Sequence, residues 1–289
     1  MLFPYFLVIV ALIALLFATV TDIKTREVPD WLNYGLVIVG LGSRFIYSLI
    51  SHNYNYVLYG FIGFISFFIL ANIMYHTKQW GGGDSKLLMG LGAMFGNFDN
   101  LDILNVDYKF PFLAVLIINI FIAGTIYGII YSLFLAIKNH NDFRKEIKKR
   151  SFKHIKILFL VVLLLIILSV FILDGSILYL IIGLFSAIFF AYIILFFMKI
   201  VEDVSLYKEI SIDKLTEGDW LVKDIIINKK TICKARNIGI SKKDIALLKK
   251  NKVKKILVKE GIPFVPAFLL GFLITIFIGD LFLFKAIFF

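Results

Sequence analysis

Residues 138–156 read KNHNDFRKEIKKRSFKHIK, eight lysines and arginines between two long apolar runs. The stretch decides the fold because eight positive charges have only one comfortable side of a bilayer. The chain around it is 60% hydrophobic and 18% charged, where a soluble domain averages roughly 45–50% and 25%. Mean hydropathy is +0.91, which puts the chain in the membrane class. Runs long enough to cross a hydrocarbon core of about 30 Å occur at 3–20, 32–50, 56–75, 111–137, 157–173, 177–198 and 263–284. An eighth, 87–96, is short and glycine-rich, and at 1.5 Å per residue it covers only about 15 Å.

The basic stretch tests whether that short run crosses. With eight crossings and the N-terminus outside, the inner segments are 21–31, 76–86, 138–156 and 199–262. They hold 28 of the 31 lysines and arginines. The outer connections 51–55, 97–110 and 174–176 carry Lys109 against Asp99, Asp102, Asp107 and Asp174. Were 87–96 not to cross, residues 138–156 would lie outside, against the positive-inside bias. The short run is therefore expected to cross, extended through 97–101 and shielded by its neighbours. The net charge of +11 then marks a cytoplasmic face lying against anionic headgroups. Nucleic-acid binding would need aromatic or groove-reading features that this chain lacks. Gly92 with Gly96, and Gly124 with Gly128, have the spacing that lets membrane helices approach closely.

The fold expected is an all-α polytopic membrane protein of about eight transmembrane helices, one of them short. A small α/β cytoplasmic domain is inserted before the last helix. The organisation reads as a transmembrane core (1–137), a basic loop (138–156), two additional helices (157–199), the inserted domain (200–262) and a C-terminal helix (263–289). The first run has no basic leader and no small-residue cleavage site, so it is a retained span rather than a signal peptide. In the insert, DWLVKDIII (219–227) and KKILV (254–258) read as strands. Ser241 with Asp244 reads as a capping box opening a helix over 242–251. Pro263 and Pro266 fall at the start of the last span, where a helix tolerates proline. The insert holds no visible catalytic group and reads as a docking or structural module.

Chemistry is scarce. The lone Cys233 excludes an internal disulfide, and His52, His76, His140 and His154 are scattered without ligand spacing. HExxH, GxSxG and P-loop motifs are missing, so no metal and no cofactor is expected. Two acids stand tight against hydrocarbon on the inner side: Asp22 in TDIKTREVPDWLN (21–33) and Asp84 in KQWGGGDSKLL (78–88). Singly, Asp22 reads as a juxtamembrane charge and Asp84 as a helix cap. Together they make a site, because ionisable groups at a membrane boundary are costly unless solvated or functional. Two carboxyls about 3 Å apart share a proton, so one activates water while the other assists the carbonyl and the leaving amine. Gly81, Gly82 and Gly83 allow a sharp bend and close approach of an extended peptide. Lys86 either tunes the local field or snorkels to the headgroups.

GGGD with a lysine two residues on, preceded by D-x-x-x-R-x-V-P-D after the first span, resembles the GxGD-type membrane aspartyl proteases. The nearest likeness is to the type IV prepilin peptidases, archaeal prepilin and preflagellin (archaellin) peptidases above all. Residues 1–96 carry it, and the tail from Lys255 is similar to the C-terminal region of archaeal members. The resemblance implies an endopeptidase of the plasma membrane with Asp22 and Asp84 as its catalytic pair. Its substrates would be pilin-like or archaellin precursors, cut between a short basic leader and a hydrophobic stretch. Glu27 and Asp30 add negative charge that would attract such a leader. Bacterial relatives often carry an N-terminal cysteine-containing segment and methylate the new N-terminus. Neither that segment nor a methyl-donor site is visible here, so proteolysis without methylation is expected. The alternatives are an intramembrane protease of the presenilin or signal-peptide-peptidase kind and a proton-coupled transporter using the two acids. The first places its acid mid-span in a Tyr-Asp pair, whereas Asp22 follows Thr21 at a span's edge. The second would show an inverted repeat, and none is evident.

Overall fold

The computed structural model describes residues 2–77, 79–97, 110–227, 230–235, 239–251 and 253–280. The described elements are mostly helical: α1 (Leu2–Thr25), α2 (Asp30–Ser51), α3 (Asn55–His76), α4 (Gly82–Phe95), α5 (Phe112–Lys138), α6 (His140–Lys149), α7 (Lys153–Ile172), α8 (Gly175–Val201), α9 (Lys242–Lys250) and α10 (Val265–Ile278). Helices α1, α2, α3, α5, α7 and α8 are long and apolar enough to cross a bilayer, and α10 is a shorter apolar helix. This is a multi-pass membrane protein with a small α/β insert between α8 and α10. The expected last run reaches residue 284, of which 281–284 lie outside the described residues.

Two compact units divide the chain, residues 1–128 with 209–289 and residues 129–208. In the first, α4 is the buried centre: Leu87, Leu88, Leu91, Met94 and Phe95 are fully enclosed. They join Leu7 and Leu15 of α1, Phe112 and Leu116 of α5, and Phe268 and Phe272 of α10 in one core. Small residues admit the neighbours. A Cβ on Gly90 would meet Leu36 of α2 at 2.7 Å, and one on Gly92 would meet the Gly63 carbonyl of α3 at 2.5 Å. Gly96 likewise lies against Tyr59 and Gly63, and Gly124 against Phe264. Gly128, expected to pack, meets nothing within 4 Å.

Helix α4 has 14 residues, about 21 Å at 1.5 Å each, so it cannot expose its ends to lipid without losing backbone partners. Its C-terminal end is met by Arg44 of α2, which is 3% exposed. Arg44 donates from Nε and Nη2 to the Met94 carbonyl (3.0 and 2.6 Å) and from Nη1 to that of Tyr56 (3.0 Å). The helix stops at Phe95. The extension expected through 97–101 falls mostly outside the described residues.

The insert has the strands β1 (Tyr207–Ser211), β2 (Trp220–Leu221), β3 (Ile225–Ile227), β4 (Lys230–Cys233) and β5 (Lys255–Lys259). They form a sheet of order β1-β5-β2 and a β3-β4 ribbon. The expected single strand over 219–227 is broken at 222–224, because β2 pairs with β5 while β3 turns to β4. The capping box is as expected: the Ser241 hydroxyl accepts the Asp244 N–H at 3.2 Å, and Asp244 Oδ2 accepts the Ser241 N–H at 3.2 Å. Ile212, Leu221, Leu248, Ile256 and Val258 make this domain's own core.

In the second unit, α7 packs along α8, with Phe159 and Phe189 rings 5.7 Å apart. The basic stretch, expected as a loop, contains α6. Its high charge is organised by Arg150, which pairs with Glu146 and with Asp203 in the π-helical turn Glu202–Leu206 after α8.

Candidate active site

Asp22 occupies the last turn of α1, on the face that buries Leu15 and Ala18. Spacings of three and four residues put these side chains on one stripe, so the apolar face carries the carboxyl inward, where it is 6% exposed. Its Oδ2 accepts the backbone N–H of Val265 at 2.9 Å, in a buried bond. Val265 is the first residue of α10. First-turn N–H groups have no partner inside their helix, and the helix's positive end faces an anion favourably. The Phe264 N–H also bonds this carboxyl, and Arg26 adds a positive charge nearby. Arg26 ends α1 with a left-handed φ of 61°. Its N–H returns to the Asp22 carbonyl at 2.9 Å and its Nη1 donates to the Gly261 carbonyl at 3.4 Å.

Asp84 lies in the first turn of α4, three residues ahead of the apolar run that begins at Leu87. It is not the cap itself. Gly81 takes that position, and Asp84 Oδ2 reaches back to accept the Gly81 N–H at 3.2 Å. The two acids are brought close enough for Asp22's charge to act on Asp84. Burial, first, and that charge, second, push the Asp84 carboxyl up to about 7, against the pull of the Gly81 N–H. A carboxyl that holds its proton near neutrality beside one that carries bonds from backbone N–H groups is an acid and a base in one place.

The other expected residues take different places. Gly82, Gly83 and Lys86 belong to α4's first turns rather than to a loop. None of Gly81, Gly82 and Gly83 takes a left-handed φ, so the bend expected of them is made in ordinary backbone space. Only Gly83 is sterically demanded. A Cβ there would stand 3.2 Å from Val28, in the segment after α1, whereas Gly82 has 3.8 Å to Tyr75 and Gly81 only Asp84 itself. Lys86 turns away from Asp84: its Nζ donates to Asp30 Oδ1 at 2.6 Å and lies 5.4 Å from the Tyr34 ring centre. Asp30 is thus engaged by Lys86. Glu27 lies beside the insert, where its charge and that of Glu260 reach Asp219.

Two positioning residues have little sequence signal. Trp80 is 4% exposed and packs its indole on Phe121, Phe264 and Phe268 at 5.7, 5.7 and 5.2 Å. It ties the segment before Asp84 to the same α10 N-terminus that holds Asp22. Asn33 is fully buried in α2 and donates from Nδ2 to the Gly83 carbonyl at 3.5 Å. Their hint was only a tryptophan directly ahead of the glycines and a lone amide at the start of a span. Among the described residues, no group of three or more His, Cys, Asp or Glu could hold a metal ion.

Residues 9–133 match the type IV leader peptidase family. Over 91 residues the chain is 42% identical to the preflagellin peptidase of Methanocaldococcus jannaschii, covering 32% of this chain and 38% of that protein. It is 29% identical over 148 residues to the preflagellin peptidase of Methanococcus voltae, 50% of this chain and 62% of the relative. With the preflagellin peptidase of Methanococcus maripaludis the figures are 29% over 133 residues, 44% and 54%. The chain thus spans less than two thirds of the length of each of these relatives.

Proposed function

We propose, on the premise that residues 9–133 belong to the type IV leader peptidase family, that the chain is a membrane aspartyl endopeptidase with Asp22 and Asp84 as its catalytic pair. The observation that supports the reading is that these two acids, on α1 and α4, are buried close enough for the charge of Asp22 to act on Asp84. Its substrates are archaellin or pilin-like precursors, consistent with the preflagellin peptidases it resembles. The cut separates a short basic leader from the hydrophobic segment behind it. The pair works at the cytoplasmic face, with the N-terminus of the chain outside, which is the arrangement that keeps most of the lysines and arginines inside. Glu27 and Asp30 supply negative charge at the junction of α1 and α2. With Asp30 held by Lys86, Glu27 is the better partner for a basic leader. The glycines keep side chains away from the approach to Asp84, and the mature N-terminus leaves unmethylated.

The test is co-expression with an archaellin precursor and observation of leader loss by gel shift and intact mass. Asp22→Asn and Asp84→Asn should each abolish processing, and the wild-type product should carry an unmodified N-terminus. Processing that survives either substitution defeats the catalytic pair. A methylated product defeats the non-methylating assignment alone.

A further inference from the structure

The two carboxyls have unequal surroundings, and from this we infer a division of labour: Asp22 is the carboxylate that activates water and Asp84 the carboxylic acid that donates to the scissile carbonyl, with the N-terminus of α10 as the element that sets the order. The inference rests on the proposed reading of the two acids as a catalytic pair and goes beyond it by giving each one role.

The geometry is asymmetric in donors. Burial works against a charge on Asp22, but that carboxyl receives the Val265 N–H at 2.9 Å in a buried bond, receives the Phe264 N–H, and has Arg26 nearby, all of which favour the charge. N–H bonds to a carboxylate favour its charged form, and the positive end of a 14-residue helix adds to them. Pro266, next along, has no N–H, so these bonds are concentrated at Phe264 and Val265. Asp84 receives one N–H, from Gly81 at 3.2 Å within its own helix turn. Among charged groups, Asp84 is faced by Asp22 of α1, while Lys86, two residues along α4, is held toward Asp30 of α2. The start of α10 presents Phe264, Val265 and Pro266, none of which titrates. Of two buried acids close enough to feel each other's charge, the proton stays on the one with fewer donors, which is Asp84.

The step then balances. Asp22 takes one proton from water, the water oxygen bonds the carbonyl carbon, and Asp84 gives its proton to the carbonyl oxygen. Collapse breaks the C–N bond as Asp22 passes its proton to the leaving nitrogen and a diol hydroxyl returns one to Asp84. The second carboxyl oxygen of Asp22 keeps its Val265 bond throughout, which orients the first toward the water. Val265 is a positioning residue that acts through Asp22.

The deciding measurement needs no substrate, so it stays separate from whether the chain cleaves anything. Difference infrared spectra of the purified full chain in lipid nanodiscs, between pH 6 and pH 8, should contain the stretch of a protonated carboxyl. That band should disappear in Asp84→Asn and persist in Asp22→Asn, with its midpoint lowered because the neighbouring charge is gone. A band lost in Asp22→Asn and kept in Asp84→Asn overturns the assignment. A second arm uses Val265→Pro, which removes the N–H at a helix position that accepts proline. The acid limb of the cleavage profile should move up by about one pH unit, the size expected for a lost donor to a carboxylate. An acid limb that stays while the alkaline limb moves overturns the assignment as well.

Discussion

Replacing Arg44 by methionine tests how a 14-residue helix survives inside a bilayer, and with it what holds Asp84 at the membrane margin. Methionine keeps much of the apolar stem, which lies over Gly60, but none of the donors. The Met94 and Tyr56 carbonyls then lose three hydrogen bonds of 2.6–3.0 Å. The Met94 carbonyl, left buried at the end of α4 without its donors, costs about 1–3 kcal/mol, and the Tyr56 carbonyl, inside α3 and still able to accept from its own helix, loses a further bond worth about 0.5–1.5 kcal/mol. Against this stands the relief of no longer holding a guanidinium in hydrocarbon, about 2.5–3.5 kcal/mol on insertion scales. Arg44 sits among carbonyl dipoles rather than in lipid, so much of that relief is already provided in the wild type. The expected net loss is about 2 kcal/mol, roughly a 30-fold change in the unfolding constant. Unfolding in mixed detergent–SDS micelles, followed by tryptophan emission, measures it. Arg44→Lys, with a charge but a shorter reach and no fork, should fall between. If Arg44→Met is as stable as wild type or more so, desolvation outweighs the carbonyl bonds and the proposed role of Arg44 fails.

Trp80→Ala should destabilise by about 3 kcal/mol, the low end for a buried Trp, and should lower kcat through a loosened Asp84 segment. Trp80→Phe should recover most of both in the same unfolding and cleavage assays. Gly83→Ala should cost more activity than Gly82→Ala, because only the first Cβ collides with Val28; equal losses would dismiss the close approach as the reason. For pH, Asp84 is pushed up to about 7 by burial and by Asp22 and must be protonated to donate. Cleavage should therefore fall as pH rises through that value, above the acid limb set by Asp22, and a profile that climbs through pH 7 to 9 would contradict the role. Ser241→Ala removes both hydroxyl bonds of its capping box and should cost α9 about 1 kcal/mol, read as faster hydrogen exchange over 242–250 in the intact chain.

Much of the fold was legible because membrane segments announce themselves through length and charge. Each of the eight apolar runs contains an apolar helix among the described residues, the last of them only over Val265–Ile278, and the buried neighbours of α4 account for a helix shorter than the membrane. The two acids were legible because a carboxyl against hydrocarbon needs a reason. Less was legible where pairing is long-range: β1 and β4 are not alternating enough to stand out, and one expected strand splits between two partners. Helix α6 was hidden by charge: besides its local pair with Glu146, Arg150 just after it pairs with Asp203, in a turn more than fifty residues away. Lys86 had two readings near its own sequence, and its actual partner, Asp30, comes from another helix.

The sequence by itself determined that this chain is a multi-pass membrane protein and which two acids stand directly beside its apolar runs. Those follow from local composition, because each run must satisfy the bilayer on its own. Only the tertiary structure decided that the two acids are unequal. That depends on the first turn of α10, 243 residues along the chain from Asp22, bringing unpaired N–H groups to one carboxyl and not the other. Helix ends carry donors wherever they fall, and nothing short of packing says which side chain will receive them.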